Sequence, residues 1–250
     1  MVHLPPAERL RARALRCFAG SLWMSGEYER SHRTNEESLA LFRSFGDEEG
    51  VGVLLHRIGI STMYLGDHED ARRLLDESLR LLRKVGSVRG EAEVLGALAY
   101  LLEKEGDPAA AIELFTRAGE MAAEIGFTWW EIGMLGGLCE CLVQLGRIDE
   151  AGAVARKELT LAREIGDRQS SLYGLVHLAW IAALRGDGWL AGLLWGAVEA
   201  EEARAPVGQW ETEREDYAER ITAESGDELE RGRVKGRGLS FEAAIEEALG

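Results

Sequence analysis

The chain has no run of 18 or more apolar residues, so nothing in it reads as a membrane-spanning helix. Its start, Met1-Val2-His3-Leu4-Pro5-Pro6, lacks the charged and apolar regions of a secretory signal. Cysteine is scarce. Cys17, Cys139 and Cys141 are the only three in 250 residues, an odd number that argues against a disulfide framework and for a reducing compartment. The expected location is the cytoplasm. Lysine is scarcer than its total charge suggests, because only Lys84, Lys104, Lys157 and Lys235 accompany the arginines among 29 basic residues. None of them sits in a G-x-x-x-x-G-K-[ST] loop, so ATP hydrolysis is not expected.

Metal and nucleophile signatures are missing as well. His3, His32, His56, His68 and His177 are scattered singly, with no H-E-x-x-H pair, which indicates neither a zinc site nor a Ser-His-Asp triad. Cys139-Glu140-Cys141 does not make a metal pair, because residues two apart on a helix point about 200° from each other. Catalysis and cofactors are therefore not expected. The net charge of −15 opposes direct binding to nucleic acid or to an anionic membrane. Paired acids such as Glu48-Glu49, Glu201-Glu202 and Glu246-Glu247 read as solvated helix faces.

Glycine is what the chain does have, 30 of 250 residues, and its placement is periodic. Gly26, Gly66, Gly106, Gly146 and Gly186 recur every 40 residues, and Gly46, Gly86, Gly126 and Gly166 fall halfway between. The spacing predicts helices of roughly 17 residues, about 25 Å long, each ended by a glycine in a left-handed turn. Asp47, Asp67, Asp107, Asp167 and Asp187 follow glycines at positions where they can cap the next helix. In Gly106-Asp107-Pro108 a proline is added at the first helical position. Gly133, Gly136 and Gly137 fall inside a helix and not after a strand, so they are expected to serve packing and not a dinucleotide.

Apolar residues keep the same period. Leu15, Leu55, Leu95, Leu135 and Leu175, with Phe18, Ile58, Leu98, Leu138 and Leu178 three residues on, predict one buried stripe. Ala19, Gly59, Ala99, Cys139 and Ala179 are uniformly small, as are Ser31, Ala71, Ala111, Ala151 and Ala191 on each second helix. Small residues at these positions let paired helices approach, and stacked hairpins bury faces that none could bury alone. The expected fold is an all-α, right-handed superhelical solenoid of five hairpins, at about 7–46, 47–86, 87–126, 127–166 and 167–205, with capping helices in 206–250. After Pro206 the period is expected to fail. Helices are expected over Gln209–Glu224, Asp227–Val234 and Ser240–Leu249, with Trp210, Tyr217, Ile221 and Leu229 as anchors and Arg231–Arg237 as the loosest stretch.

The segment Leu95 to Ala118 resembles a tetratricopeptide repeat, through Leu95, Leu98, Ala99, Leu102, Gly106, Asp107, Ala111, Phe115 and Ala118. The period of 40 exceeds the usual 34 of that family while the Gly-to-Ala core spacing is kept. Long-period repeats of this kind, with the segments AGLLWGAVEAEEARAP and GRGLSFEAAIEEALG, resemble the sensor regions of bacterial signal-transduction ATPases, including LuxR-type and SARP-type transcriptional regulators. The chain carries neither their ATPase module nor their DNA-binding domain, so the resemblance implies a detached sensor region or a stand-alone relative.

The resemblance also implies a concave groove lined by first helices. By position its walls carry Arg13, Arg16, Trp23 and Met24; then His56, Ile60, Met63 and Tyr64; then Tyr100, Glu103 and Lys104; then Glu140 and Gln144; then Tyr173 and Trp180. Aromatic and methionine side chains outside the leucine stripe suit a peptide or small-ligand surface. Against that, Tyr173 and Trp180 could pack under the C-terminal cap, and Trp23 against an N-terminal segment. A protein or peptide partner is the first expectation, a small-molecule effector the second, and self-association the third. For the last, Trp129-Trp130 is the candidate contact, since two adjacent indoles cannot both face one core.

Overall fold

In the computed structural model residues 6–205, 210–223 and 226–250 are described, and among them every regular element is an α-helix. In chain order these are α1 (Pro6–Met24), α2 (Tyr28–Phe45), α3 (Glu48–Tyr64), α4 (His68–Lys84), α5 (Val88–Lys104), α6 (Pro108–Glu124) and α7 (Thr128–Gln144). They are followed by α8 (Ile148–Glu164), α9 (Arg168–Leu184), α10 (Gly188–Glu202), α11 (Trp210–Thr222), α12 (Asp227–Gly236) and α13 (Phe241–Leu249). The fold class is the expected one, an all-α array of tetratricopeptide-type hairpins.

Each turn is built as the glycine ladder implies. Gly66 takes φ +91° and Gly106 φ +83°, a region that costs an L side chain energy, and the other seven ladder glycines also have positive φ. At five of the nine turns the start of the next helix is fixed by aspartate. Asp47, Asp67, Asp107 and Asp187 each accept one N–H three residues on, at 2.8 to 3.1 Å, and Asp167 accepts those of Gln169 and Ser170. Stop and start signals are thus compressed into adjacent residues, which holds helices of equal length in a constant register.

The helices fall into two compact units, α1 to α6 and α7 to α13. In the first, α1–α2, α3–α4 and α5–α6 are hairpins, and α2 on α3 and α4 on α5 stack them. Leu54, Leu55, Leu75, Leu82, Leu101 and Phe115 are its largest fully buried side chains. The hairpin seams are narrow enough for a serine to reach across: Ser31 Oγ donates to the Ala19 carbonyl and Ser38 Oγ to that of Ala12, both at 2.8 Å, and Ser78 Oγ to that of Gly52 at 2.7 Å. The apolar stripe is interrupted in the first hairpin, where Phe18 is 49% exposed and Leu15 half-buried.

In the second unit α7–α8 and α9–α10 are hairpins, and the elements of 210–250 pack on them. Tyr217, Ile221 and Leu229 are buried anchors, as expected, while the side chain of Trp210 lies outside the described residues. The expectation of a loose Arg231–Arg237 is overturned. Gly232 and Gly236 belong to α12, and a Cβ on either would stand 2.2 Å from the Trp189 carbonyl oxygen or 2.0 Å from that of Leu193. On α10, a Cβ at Gly192 or Gly196 would stand 2.0 or 2.1 Å from the carbonyl oxygens of Leu229 and Arg233. Four glycines let α10 and α12 touch backbone to backbone. Gly226, Gly232 and Gly236 stand forty residues after Gly186, Gly192 and Gly196, but Gly226 is extended at φ −132° where Gly186 is left-handed, and α11 to α13 are shorter than the repeat helices.

Two other sequence readings need correction. Gly133 has open space where its Cβ would be, so close packing does not explain it, whereas Gly136 would meet Glu158 Oε1 at 3.2 Å. Glu201 is buried and not solvated; it accepts from Arg168 Nε at 2.6 Å, and its own carbonyl accepts from Arg168 Nη2 at 2.9 Å.

Candidate functional site

In the first unit the first helices of the hairpins bring the expected residues together unevenly. Trp23 closes α1, Tyr64 closes α3 and Lys104 closes α5, because each stands just before the glycine turn of its hairpin. Tyr28, which opens α2, joins them; the sequence reading missed it because it lies across the turn from the first helix. The Trp23 and Tyr28 rings are 4.7 Å apart, Trp23 meets Tyr64 edge-on at 5.2 Å, and Tyr28 stacks on Tyr64 at 5.7 Å. Lys104 Nζ stands 5.3 Å from the Tyr64 ring. Tyr64 remains 52% exposed and Met24 75%. The result is a surface cluster of three rings and one ammonium group.

The other residues of this row divide. Tyr100 turns its edge to Phe115 at 4.8 Å and is half-buried, as are Ile60 and Glu103. His56 and Met63 are buried in the interior and do not stand on a groove wall. Burial first, and the charge of Arg57 second, push the His56 pKa down to about 4 against a hydrogen bond to the Glu93 backbone, so the ring is neutral. Arg13 is exposed and Arg16 half-buried on the N-terminal half of α1.

In the second unit the corresponding face already carries α11. Tyr217 points from α11 into a buried polar chain that links three other helices. His177 Nδ1–H on α9 donates to Glu158 Oε2 on α8 at 2.8 Å, and Nε2–H donates to the Tyr217 oxygen at 3.2 Å. The Tyr217 O–H donates in turn to Glu140 Oε1 on α7 at 2.5 Å. Burial pulls the His177 pKa down, but the charges of Glu158 and Cys139 and the hydrogen bonds of Glu140 and Glu158 outweigh it and raise it well above 6.5. Burial also opposes ionisation of Glu140, yet hydrogen bonding and charge from His177, with Tyr217 and Arg220, hold it below the usual carboxylate range. Burial and the Glu140 charge keep Tyr217 protonated. Both ring nitrogens of His177 are therefore occupied as donors, leaving no free base. The arrangement clamps a helix; it is not laid out for acid–base chemistry.

Around this chain lie the remaining expected groove residues. Trp180 is buried beside Tyr217, ring centres 6.3 Å apart, with the Arg220 guanidinium 5.0 Å from its ring. Tyr173 donates through its hydroxyl to Glu213 Oε2 at 2.8 Å. Gln144 is exposed. Glu158 escaped the sequence reading, although a signal was present: it occupies the seam position of Ser38 and Ser78, where a carboxylate is out of pattern. Of the adjacent indoles, Trp129 is 58% exposed and Trp130 half-buried. Among the described residues no group of three metal-binding side chains converges, and no helix is long and apolar enough to cross a membrane.

Comparison with known proteins follows the repeat. Residues 50–124 match the tetratricopeptide repeat family model. Among curated proteins none matches the sequence significantly. Of solved structures, BtubC from P. vanneervenii is similar over 88% of this chain and 89% of its own, at 14% identity and TM-score 0.66. The nearly identical TPR-like repeats of a kinesin light chain-like protein from Podosopora anserina are similar over 82% of this chain and all of theirs, at 17% identity and TM-score 0.60. A signal transduction ATPase with numerous domains and a tetratricopeptide repeat sensor, from Pyrococcus horikoshii, is similar over 99% of this chain at 16% identity and TM-score 0.60. This chain spans 39% of that ATPase. At these identities the likeness shows the fold alone, a tetratricopeptide-type array, which is generally a protein-interaction module and typically a non-catalytic scaffold.

Proposed function

We propose that the chain is a non-enzymatic module that binds a protein or peptide partner along the faces of α1, α3 and α5, within cytoplasmic bacterial signalling or transcriptional control. The observation that carries this reading is the Trp23, Tyr28, Tyr64 and Lys104 cluster. Aromatic rings gathered from three helices yet left half-exposed represent apolar surface that a monomer gains nothing by displaying. The second unit supports it by example, since there the equivalent face receives a helix, α11, through a tyrosine. The signalling context rests on the fold likeness to the tetratricopeptide sensor of the Pyrococcus ATPase and on the tail segments that resemble LuxR-type and SARP-type regulators.

Selection of a random short-peptide library on the purified chain tests the reading. Enriched peptides are expected to bind the wild type and to lose about tenfold or more in affinity, some 1.4 kcal/mol, to a Trp23→Ala, Tyr64→Ala variant that still folds. A selection that enriches nothing above background, or peptides indifferent to the variant, would overturn it.

A further inference from the structure

The N-terminal half of α1 presents Arg9, Arg13 and Arg16 at helical spacings of four and three, and hence on one face. They line an open recess of about 480 Å³ between α1, the end of α2 and the start of α3. Its floor is aromatic. The Arg9 guanidinium lies 5.2 Å from the centre of the Phe45 ring and that of Arg16 5.4 Å from Phe42. Gly50 makes room for this floor, since a Cβ there would stand 2.1 Å from the Phe42 ring.

What these arginines lack is a direct ion pair. Arg72, Arg83, Arg147, Arg168 and Arg233 each pair with a carboxylate, but among the described residues Arg9, Arg13 and Arg16 make no ion pair. The two acids on the recess wall are engaged: Asp47 caps α3 through the Gly50 N–H, and Glu49 accepts from Ser87 Oγ. A further cation presses on the row, because Arg57 Nη1 donates to the Arg16 carbonyl at 3.0 Å. Burial first and the charge of Arg16 second lower the Arg57 pKa, with Glu93 opposing. In a chain of net charge −15, a local excess of positive charge over aromatic rings stands out.

We infer that this recess binds a carboxylate-rich peptide segment of the partner, with Arg9, Arg13 and Arg16 as a row of side-chain clamps above Phe42 and Phe45. This deepens the peptide-binding reading and rests on it. The row favours a segment over a single compact anion. Its charges are spread along about 10 Å of helix, and alternate side chains of an extended strand repeat every 7 Å or so, so successive glutamates or aspartates can meet successive guanidinia. Each fork-shaped guanidinium can take a carboxylate bidentately, and the rings below Arg9 and Arg16 keep their flat faces occupied and their edges turned to the ligand.

Fluorescence anisotropy with labelled octaglutamate tests this, with octaglutamine as neutral control and inorganic phosphate as competitor. Octaglutamate is expected to bind, more weakly as salt rises, and to lose about tenfold or more in affinity in an Arg13→Glu, Arg16→Glu variant. Octaglutamine is expected not to bind. Because Arg16 touches Phe42, the single Arg13→Gln variant, which removes no hydrogen bond, ion pair or ring contact within the described residues, is measured alongside with circular dichroism as a check on folding; it is expected to lose severalfold. Equal affinity in wild type and variants overturns the inference, as does competition by phosphate alone at the concentrations of the peptide carboxylates. If octaglutamate fails while library-selected peptides still bind at Trp23 and Tyr64, the acidic-segment inference falls and the peptide-binding reading stands. If neither binds, both fall.

Discussion

Tyr217 donates a 2.5 Å hydrogen bond to Glu140 Oε1 across 77 residues of chain, from α11 to α7. The Tyr217 oxygen in turn accepts from His177 Nε2–H at 3.2 Å, so one phenol joins a carboxylate to an imidazolium whose other nitrogen is already held by Glu158. The ring therefore does two things at once. Its body fills the space beside Trp180 and Tyr173, and its hydroxyl bridges His177 to the partly exposed Glu140 carboxylate, which otherwise stands 3.6 Å from His177 Nε2.

Removing only that hydroxyl separates the two roles. Tyr217→Phe keeps the ring but leaves Glu140 and His177 short of a partner. It is expected to destabilise the fold by about 1 to 3 kcal/mol, the cost of unsatisfied buried polar groups, read as a lower urea midpoint. Tyr217→Ala should cost more, because a cavity is added. A Tyr217→Phe variant as stable as wild type would mean that the chain contributes nothing net.

The periodic part of this structure was legible because one residue type carries one conformation. A glycine every 20 residues, followed at five of the nine turns by aspartate, specifies turn and cap locally, whatever surrounds them. The polar clamp was not legible, because Glu140, Glu158, His177 and Tyr217 sit on four helices and no local rule relates them. The groove expectation fared unevenly for the same reason. Trp23, Tyr64 and Lys104 do meet, while His56 turned inward, since the period identifies which helix a residue is on more reliably than which way a borderline position faces. Gly232 and Gly236 were misread as a loose link because glycine pairs mark flexibility and close helix contact alike. Their repetition of Gly192 and Gly196 was the distinguishing signal.

That distinction yields opposite signs for the same substitution. Gly232→Ala places a Cβ 2.2 Å from the Trp189 carbonyl oxygen, and since backbone cannot rotate away, α12 must lift from α10 at a cost of about 1 to 3 kcal/mol. Gly133→Ala, with nothing among the described residues within 4 Å of the new methyl, should stabilise by about 0.5 to 1 kcal/mol through helix propensity. Thermal melts of the two variants should move in opposite directions from wild type; a shift of the same sign in both would show that the α10–α12 contact is softer than its geometry implies.

The three thiols should divide in the same way between surface and interior. Cys17 is exposed, whereas Cys139 and Cys141 are buried. Burial pushes the Cys139 thiol up to about 12, against the charge of His177, so at neutral pH it holds its proton and its Sγ lies 3.7 Å from the Ala151 carbonyl oxygen. A maleimide added to the folded chain should modify Cys17 alone, and all three after urea unfolding, as counted by intact mass. Rapid labelling of Cys139 without denaturant would show that the α7–α8 seam opens readily.

The two buried histidines should pull the stability curve in opposite directions. His56 is neutral in the fold with its pKa lowered to about 4, so its contribution is present above the unfolded value of about 6.5 and is lost as pH falls toward 4. A shift of this size corresponds to about 3 kcal/mol. His177 has its pKa raised well above 6.5, so its contribution is complete below about 6.5 and is lost as pH rises through the raised value. Glu140, held low, adds stability that fades only as pH falls below its unfolded value of about 4.5. In urea titrations from pH 4 into the alkaline range, His56→Gln should flatten the acid-side loss, while His177→Gln should lower stability most near pH 6 and progressively less on the alkaline side. If the His177 variant instead loses most stability at high pH, the imidazole is buried neutral and Glu158 and Glu140 must share a proton in its place.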